Sequence, residues 1–152
     1  MRFDVLTKQD YEDVHALMLQ ENFPSTPPQF HQAVFSFDKA HLYGMRAESG
    51  ALVAVILFFL TDDGVACVDG VCHKAYRGKW ANRATVKQIL HIAFVHLGMA
   101  CLWTESHQHR ALNLTKALGF KTVCETAHGT LSVLTPQTLN KKWKDYTYGI
   151  TF

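Results

Sequence analysis

The amino-acid sequence predicts an α/β (α+β) domain, with a mixed central sheet of about six to seven strands flanked by about four helices. An apolar run at residues 51–60 is bounded by turn residues on both sides and is typical of a buried strand. Residues 80–98 carry the longest helical pattern, and a strand pattern follows at once. Because hairpins and a strand–helix–strand connection occur in one short chain, we expect them to share one sheet.

The N-terminal elements are one strand and two helices. A short strand is predicted at residues 2–6, and Thr7 with Asp10 resembles a capping box. The helix that follows buries one face, made of Tyr11, Val14, Leu17 and Met18. Prolines within residues 23–28 end it, and the spacing of apolar residues predicts a second helix over residues 30–37.

Three antiparallel strands are predicted next, at residues 42–47, 51–60 and 65–72. Turn residues at 48–50 and 62–64 join them as hairpins, since each turn ends in glycine.

The second half begins with the predicted helix 80–98, whose Gly98 is a natural terminator. Its apolar face is formed by Val86, Leu90, Ala93, Phe94 and Leu97. A strand at 99–104, a helix stopped by Gly119, and strands at 120–126 and 131–134 complete the order β-α-α-β-β-β-α-β-α-β-β.

Composition excludes several classes of protein. The chain has 152 residues, of which 48% are apolar and 18% charged, so it can bury a core and is not disordered. Its net charge of +2 is too small and too scattered to predict nucleic-acid binding. The ten-residue apolar run is about half of what a membrane-spanning helix needs, so no membrane association is expected.

Cysteine and histidine patterns predict neither disulfides nor a metal. The 4 cysteines form no C-x-x-C pair, and we interpret them as reduced, mostly buried thiols in a cytoplasmic protein. The 9 histidines lack the paired spacing of a zinc site.

Domain organisation is expected to be simple, with one domain over residues 1–135 and a C-terminal extension over 136–152. The extension ends in alternating large residues, namely Tyr146, Tyr148, Ile150 and Phe152. Such a strand can pack on its own domain or pair with a second subunit, which would give a homodimer.

The segment from Val71 to Asn82 links a buried strand to the start of the long helix. A helix N-terminus presents unpaired N–H groups and a partial positive charge, and Arg77, Lys79 and Arg83 add formal charge there. These features predict an anion site, for example for a pyrophosphate. A charged turn at a solvated helix start is the alternative.

The same stretch resembles the acetyl-CoA motif of the GCN5-related N-acetyltransferase (GNAT) superfamily, Gln/Arg-x-x-Gly-x-Gly/Ala after the fourth strand. Arg77 matches the first position, whereas Trp80 and Asn82 stand where the family has small residues. A second family pattern is matched at Ala111 and at Gly119–Phe120. In that pattern, Gln108 replaces an asparagine and Thr115 replaces a tyrosine that often serves as the general acid.

The resemblance implies an N-acetyltransferase that uses acetyl-CoA as co-substrate and acts on an amine of a small molecule or a protein. The pantetheine arm would lie in a gap between the fourth and fifth strands, bound by backbone groups of Val71, Cys72 and His73. The pyrophosphate would be held by the segment that starts at Arg77, with Gln108 also in the cofactor site. The other residues of that segment are Gly78, Lys79, Trp80, Ala81, Asn82 and Arg83.

Asp69 and Glu105 are the favoured candidates for the base that deprotonates the amine, with His73 as a third. Asp69 can instead stabilise a bulge beside Gly70, Glu105 can cap the next helix, and His73 can be an exposed loop residue. The proton donor for the thiolate stays open between Ser106, Thr115, a tail tyrosine and water. Because the motif positions depart from the family, a non-catalytic structural or interaction module, such as a phage virion-type protein, is the alternative function.

Overall fold

The computed structural model describes residues 2–21, 39–76, 82–106 and 115–143. Its strands are β1 (Phe3–Val5), β2 (Ala40–Arg46), β3 (Leu52–Asp62), β4 (Val65–Cys72), β5 (Cys101–Ser106), β6 (Lys121–Thr126) and β7 (Gly129–Leu134). The helices are α1 (Tyr11–Gln20) and α2 (Arg83–His91), and residues 115–118 are also helical. The predicted second helix over 30–37 and the tail from residue 144 lie outside the described residues.

The strands form one 7-stranded sheet in the order β1-β2-β3-β4-β5-β7-β6. Pairing is antiparallel at β1–β2, β2–β3, β5–β7 and β6–β7, and parallel at β4–β5. The predicted mixed sheet of six to seven strands is therefore confirmed. The parallel pair arises because β4 and β5 are joined through a helix, as the sequence pattern indicated.

One compact unit comprises residues 1–59 and 69–88. Its core forms where the apolar face of α1 packs against β2 and β3, with Val14, Leu17 and Met18 against Leu42, Leu52, Val55 and Leu57. The predicted capping box is present at the 3-10 turn Lys8–Asp10, which leads directly into α1. Asp10 Oδ2 accepts from Thr7 N–H at 2.8 Å, and the Thr7 hydroxyl oxygen accepts from Gln9 N–H at 3.3 Å. Val14, Leu17 and Met18 are buried as the 3.6-residue periodicity predicts, whereas Tyr11 is only half-buried.

The other compact unit comprises residues 60–68 and 89–152. Leu102 of β5 and Leu134 of β7 are fully buried in it, and Leu139 and Trp143 after the last strand are also buried. The turn that contains Leu139 is fixed to the end of the preceding helix, because Asn140 donates its N–H to Leu118 O at 3.0 Å.

The long helix departs from the predicted regular helix over 80–98. It begins at Arg83, is α-helical to His91 and then widens into a π-helical segment at Ile92–His96. The wider turn is closed by a bond from Leu97 N–H to Ile92 O at 2.8 Å. The wider turn rotates the side chains of the last turn around the helix axis, and a strict 3.6-residue period does not predict that rotation. Gly98 follows at φ +67°, as expected for a helix terminator.

The cysteine prediction was partly wrong. All four cysteines are free thiols, but Cys124 is exposed on β6 and the other three are only half-buried. No helix within the described residues has the length and apolar character that crossing a bilayer requires. The described ranges also contain no group of three or more His, Cys, Asp or Glu side chains arranged to hold a metal ion.

Candidate functional site

The turn that follows β4 has the backbone N–H groups of residues 73–76 all bonded within the protein. The acceptors are, in chain order, Val53 O at 2.8 Å, Glu21 Oε1 at 3.0 Å, His73 Nδ1 at 3.1 Å and His73 O at 2.8 Å. This turn leads directly into the segment that resembles the acetyl-CoA motif. Its conformation is therefore fixed before that segment begins.

His73 has both ring nitrogens engaged. Nδ1 accepts from Ala75 N–H, and Nε2 lies 3.0 Å from Gln20 Nε2. Because a neutral imidazole that accepts at Nδ1 carries its proton on Nε2, we assign the Gln20 side-chain oxygen, in place of its nitrogen, as the acceptor that faces the ring. A protonated ring would lose the bond from Ala75. This arrangement favours a structural role for His73 over the role of general base.

His73 N–H also bonds to β3, where Val53 O is its acceptor. Because N–H groups of alternate strand residues point to the same edge, the N–H of Val71 also faces β3 and that of Cys72 faces the opposite edge. Of the three predicted pantetheine-binding residues, Cys72 is therefore the one whose backbone N–H faces away from β3.

Pairing between β4 and β5 extends only from Val65–Cys101 to Cys67–Trp103. β4 continues to Cys72 beyond this point, and β5 continues to Ser106.

Asn82 caps α2. Its side-chain oxygen accepts from Thr85 N–H at 3.0 Å, and its backbone oxygen accepts from Val86 N–H at 3.0 Å and from the Thr85 hydroxyl at 3.0 Å. The residue that departs from the family motif is thus an N-cap of the preferred type. Arg83 follows in the first turn and is exposed. The other predicted phosphate-binding residues, Arg77 to Ala81, and Gln108 lie outside the described residues.

Asp69 is exposed near the end of β4, where its Oδ1 accepts from the N–H of Gly70 at 2.8 Å. Gly70 packs closely on β3, since a Cβ there would lie 3.0 Å from Ile56 Cδ1 and 3.2 Å from Val55 O. The local bond is the kind that the structural interpretation of Asp69 predicts, while its catalytic role stays a prediction.

Glu105 lies inside β5, so the expectation that it follows the fifth strand was wrong. The strand begins two residues later than predicted, at Cys101, and ends at Ser106. Glu105 is half-buried, and its Oε2 accepts from the Thr126 hydroxyl at 2.9 Å. Thr126 in turn accepts from His128 N–H at 3.2 Å, which connects the carboxylate to the β6–β7 hairpin.

Thr115, at the position of the family's tyrosine, is half-buried in the helical residues 115–118. Its carbonyl accepts from Phe120 N–H at 3.0 Å, the bond that ends this helix. A threonine hydroxyl is a much weaker acid than a phenol, so this side chain cannot repeat the proton donation of a tyrosine.

Sequence reasoning missed an ion-pair cluster around Arg46. Its Nη2 contacts Asp10 Oδ1 at 2.8 Å and Asp13 Oδ2 at 2.9 Å, and its Nη1 donates to Gly50 O at 2.7 Å. The bond from Thr7 N–H and the ion pair with Arg46 hold the pKa of Asp10 below its usual value, against the opposing effect of burial. No sequence periodicity predicts the cluster, because Arg46 is 33 residues from Asp13 and 36 residues from Asp10.

The same cluster forms one wall of a shallow groove of about 210 Å³ between α1 and the β2–β3 hairpin. Ala16, Leu17 and Leu52 provide its apolar part, and Gln20 also lines it. Because the guanidinium already binds two carboxylates and a carbonyl, its evident role is to fix the hairpin to α1.

The sequence matches the acetyltransferase (GNAT) family over residues 9–120. Among solved structures, the ribosomal-protein alanine N-acetyltransferase from Escherichia coli has a TM-score of 0.74 at 14% identity, with 88% of this chain and 92% of that chain covered. Spermidine N-acetyltransferase from Vibrio cholerae, solved with CoA and spermine, has a TM-score of 0.70 at 12% identity, covering 90% and 95%. Tetrahymena GCN5 has a TM-score of 0.69 at 13% identity, covering 89% and 96%. Comparison with curated proteins gives no match.

The chain belongs to the acetyltransferase (GNAT) family. The structural similarities, all at low identity, show that it shares the family fold.

Proposed function

We propose that this protein is an N-acetyltransferase that transfers the acetyl group of acetyl-CoA to an amine of a small molecule or a protein. Family membership over residues 9–120 carries the proposal. The structure adds a fixed turn after β4 and a capped start of α2, the two elements that flank the segment resembling the acetyl-CoA motif. The similar structures include acetyltransferases of a polyamine and of a protein alanine, and both acceptors are amines.

In this proposal, acetyl-CoA lies along the edge of β4 that faces away from β3. The N–H of Cys72 faces that edge, and the N-terminal turn of α2 with Arg83 supports the pyrophosphate. Arg77 and the residues up to Ala81 would complete the phosphate site, with Gln108 nearby. The capping bond of Asn82 already uses the N–H of Thr85, so the phosphate site depends on the N–H groups before it.

The chemical step is attack of the amine nitrogen on the thioester carbonyl carbon. The C–N bond forms as the C–S bond breaks, the amine's proton passes to a base, and the CoA thiolate takes up a proton. Glu105 or Asp69 would accept the amine's proton, directly or through water. With Thr115 in place of the family's tyrosine, water is the simplest donor to the thiolate. Holding the two reactants together is the main contribution of the protein.

The second candidate is a GNAT-fold module that has lost catalysis and binds a partner. Thr115 favours it, because the residue cannot act as the family's phenolic acid. Asn82 favours it as well, because its cap removes one N–H from the phosphate-binding end of the helix.

Calorimetric titration with acetyl-CoA, and with CoA as the control, separates the two candidates. Micromolar binding by the wild-type protein, lost in Arg77→Glu with an unchanged circular dichroism spectrum, supports the acetyltransferase. An amine screen that detects released CoA thiol then tests for turnover. No binding at millimolar ligand favours the non-catalytic module.

A cytoplasmic location is part of the proposal, because all four cysteines are free thiols, as a reducing compartment would keep them. A homodimer that pairs through the C-terminal tail is also part of the proposal, and sedimentation analysis of the purified protein tests it.

A further inference from the structure

The last residue of α1 and the residue after it both bond to the turn that follows β4. The side-chain amide of Gln20 lies 3.0 Å from His73 Nε2, and Glu21 Oε1 accepts from Lys74 N–H at 3.0 Å. The two contacts join positions 53 residues apart in sequence. They lie within one compact unit, as do all the residues involved.

Side chains satisfy two of the four N–H groups of this turn. Glu21 Oε1 accepts from the N–H of Lys74, and His73 Nδ1 accepts from the N–H of Ala75. With the Gln20 amide oxygen assigned as the acceptor, Gln20 supports the second of these bonds, because it accepts from Nε2–H and so favours the tautomer whose Nδ1 is the acceptor. The bonds from His73 N–H and Tyr76 N–H, in contrast, use backbone acceptors and do not depend on α1.

We infer that Gln20 and Glu21 are positioning residues for acetyl-CoA binding, which rests on the function proposed above. The turn 73–76 immediately precedes Arg77, the residue that matches the first position of the acetyl-CoA motif. The bonds from α1 fix the direction in which the chain enters that motif. Losing them allows the turn to sample other conformations, and the ordering cost is then added to ligand binding.

Because Glu21 is negatively charged, the direction in which the affinity for CoA changes on its removal tests the inference. CoA is anionic, so removing a nearby negative charge strengthens its binding if the carboxylate acts only through charge. If the carboxylate acts by holding the turn, removing it weakens binding instead. A glutamine at this position keeps an oxygen acceptor for Lys74 N–H without the charge.

The experiment compares Glu21→Ala, Glu21→Gln, Gln20→Ala and the control Glu12→Ala, a substitution at an exposed glutamate on the same helix. We expect the Kd for CoA to rise about 5- to 30-fold in Glu21→Ala and Gln20→Ala, and to stay within about threefold of wild type in Glu21→Gln and Glu12→Ala. In turnover assays, KM for acetyl-CoA should rise with kcat little changed. Amide hydrogen exchange at Lys74 should accelerate in Glu21→Ala and not in the control.

If the wild-type protein binds CoA and Glu21→Ala binds it equally or more tightly, the inference is overturned and the proposed function stands. Failure of Glu21→Gln to restore affinity would also count against it, because the acceptor oxygen is retained. If the wild-type protein does not bind CoA, the proposed function fails and the positioning role falls with it. The exchange rate at Lys74 distinguishes a variant that has merely unfolded, since unfolding accelerates exchange at every amide.

Discussion

The side-chain oxygen of Asn82 accepts the N–H of Thr85 at 3.0 Å, which closes the first turn of α2 from outside the helix. In the sequence, Asn82 stands where the family has a small residue, and this departure suggests that the protein has lost the family's activity. In the structure, it satisfies one of the four N–H groups that every helix start leaves unpaired. The same residue therefore stabilises the helix and competes with a phosphate for one donor.

Asn82→Ala should lower the free energy of unfolding by about 1 kcal/mol, because the cap is lost, whereas Asn82→Asp should leave it unchanged. Urea unfolding measures both. Asn82→Asp should nevertheless weaken CoA binding, since it adds a negative charge beside the proposed phosphate site. Equal affinity in Asn82→Asp and wild type would place the phosphate elsewhere.

Asp10→Ala should destabilise the protein by about 1 kcal/mol at neutral pH, because the capping box loses its acceptor for Thr7 N–H. The folded-state pKa of Asp10 is lowered from the ordinary value of 3.8, so its contribution is present above that pH and disappears as the pH falls through the lower folded value. The difference between wild type and Asp10→Ala should therefore shrink in acid.

Asp4→Ala is the control for Asp10→Ala. Asp4 pairs with Arg2 at 3.2 Å, and their side chains are 67% and 79% exposed, so its removal should change stability by less than about 0.5 kcal/mol. A loss in the control equal to that in Asp10→Ala would show that net charge, not the cap, is responsible.

The sequence was sufficient to predict elements whose cause is local. The apolar run at 51–60 predicted β3, and Thr7 with Asp10 predicted the helical turn that leads into α1. Both predictions succeed because hydrophobic patterning and capping act over a few residues. The site was less predictable, since the bonds from Gln20 and Glu21 to the turn join distant segments. The position of Glu105 was missed because strand ends depend on pairing with β7, which no local pattern encodes.

Gly119→Ala should destabilise the protein by about 3 kcal/mol, through both conformation and collision. Gly119 has a φ of +106°, and a Cβ there would collide with Thr138 O and lie 2.9 Å from Asn140 N. Gly50→Ala is the matched control, with a φ of +88° and no atom within 4 Å of the added Cβ. It should cost only about 1–2 kcal/mol, and thermal unfolding of both variants gives the difference due to close packing.

Glu105→Gln should reduce kcat more than Asp69→Asn does, provided that an acceptor amine has been found. Glu105 is half-buried and oriented by the Thr126 hydroxyl, whereas Asp69 is exposed and bonds to the adjacent Gly70 N–H. An oriented, less solvated carboxylate is the better general base, and its loss typically costs about 100-fold or more in rate. Both amide variants keep an oxygen acceptor for the local bond, so folding should be preserved.

Thr126→Val gives a second test of Glu105, because it removes the hydroxyl that donates to the carboxylate but keeps the carboxylate itself. If Glu105 is the base, Thr126→Val should lower kcat by a smaller factor than Glu105→Gln does. The reverse order of the two carboxylate variants would assign the base to Asp69, and small effects in both would leave proton removal to water.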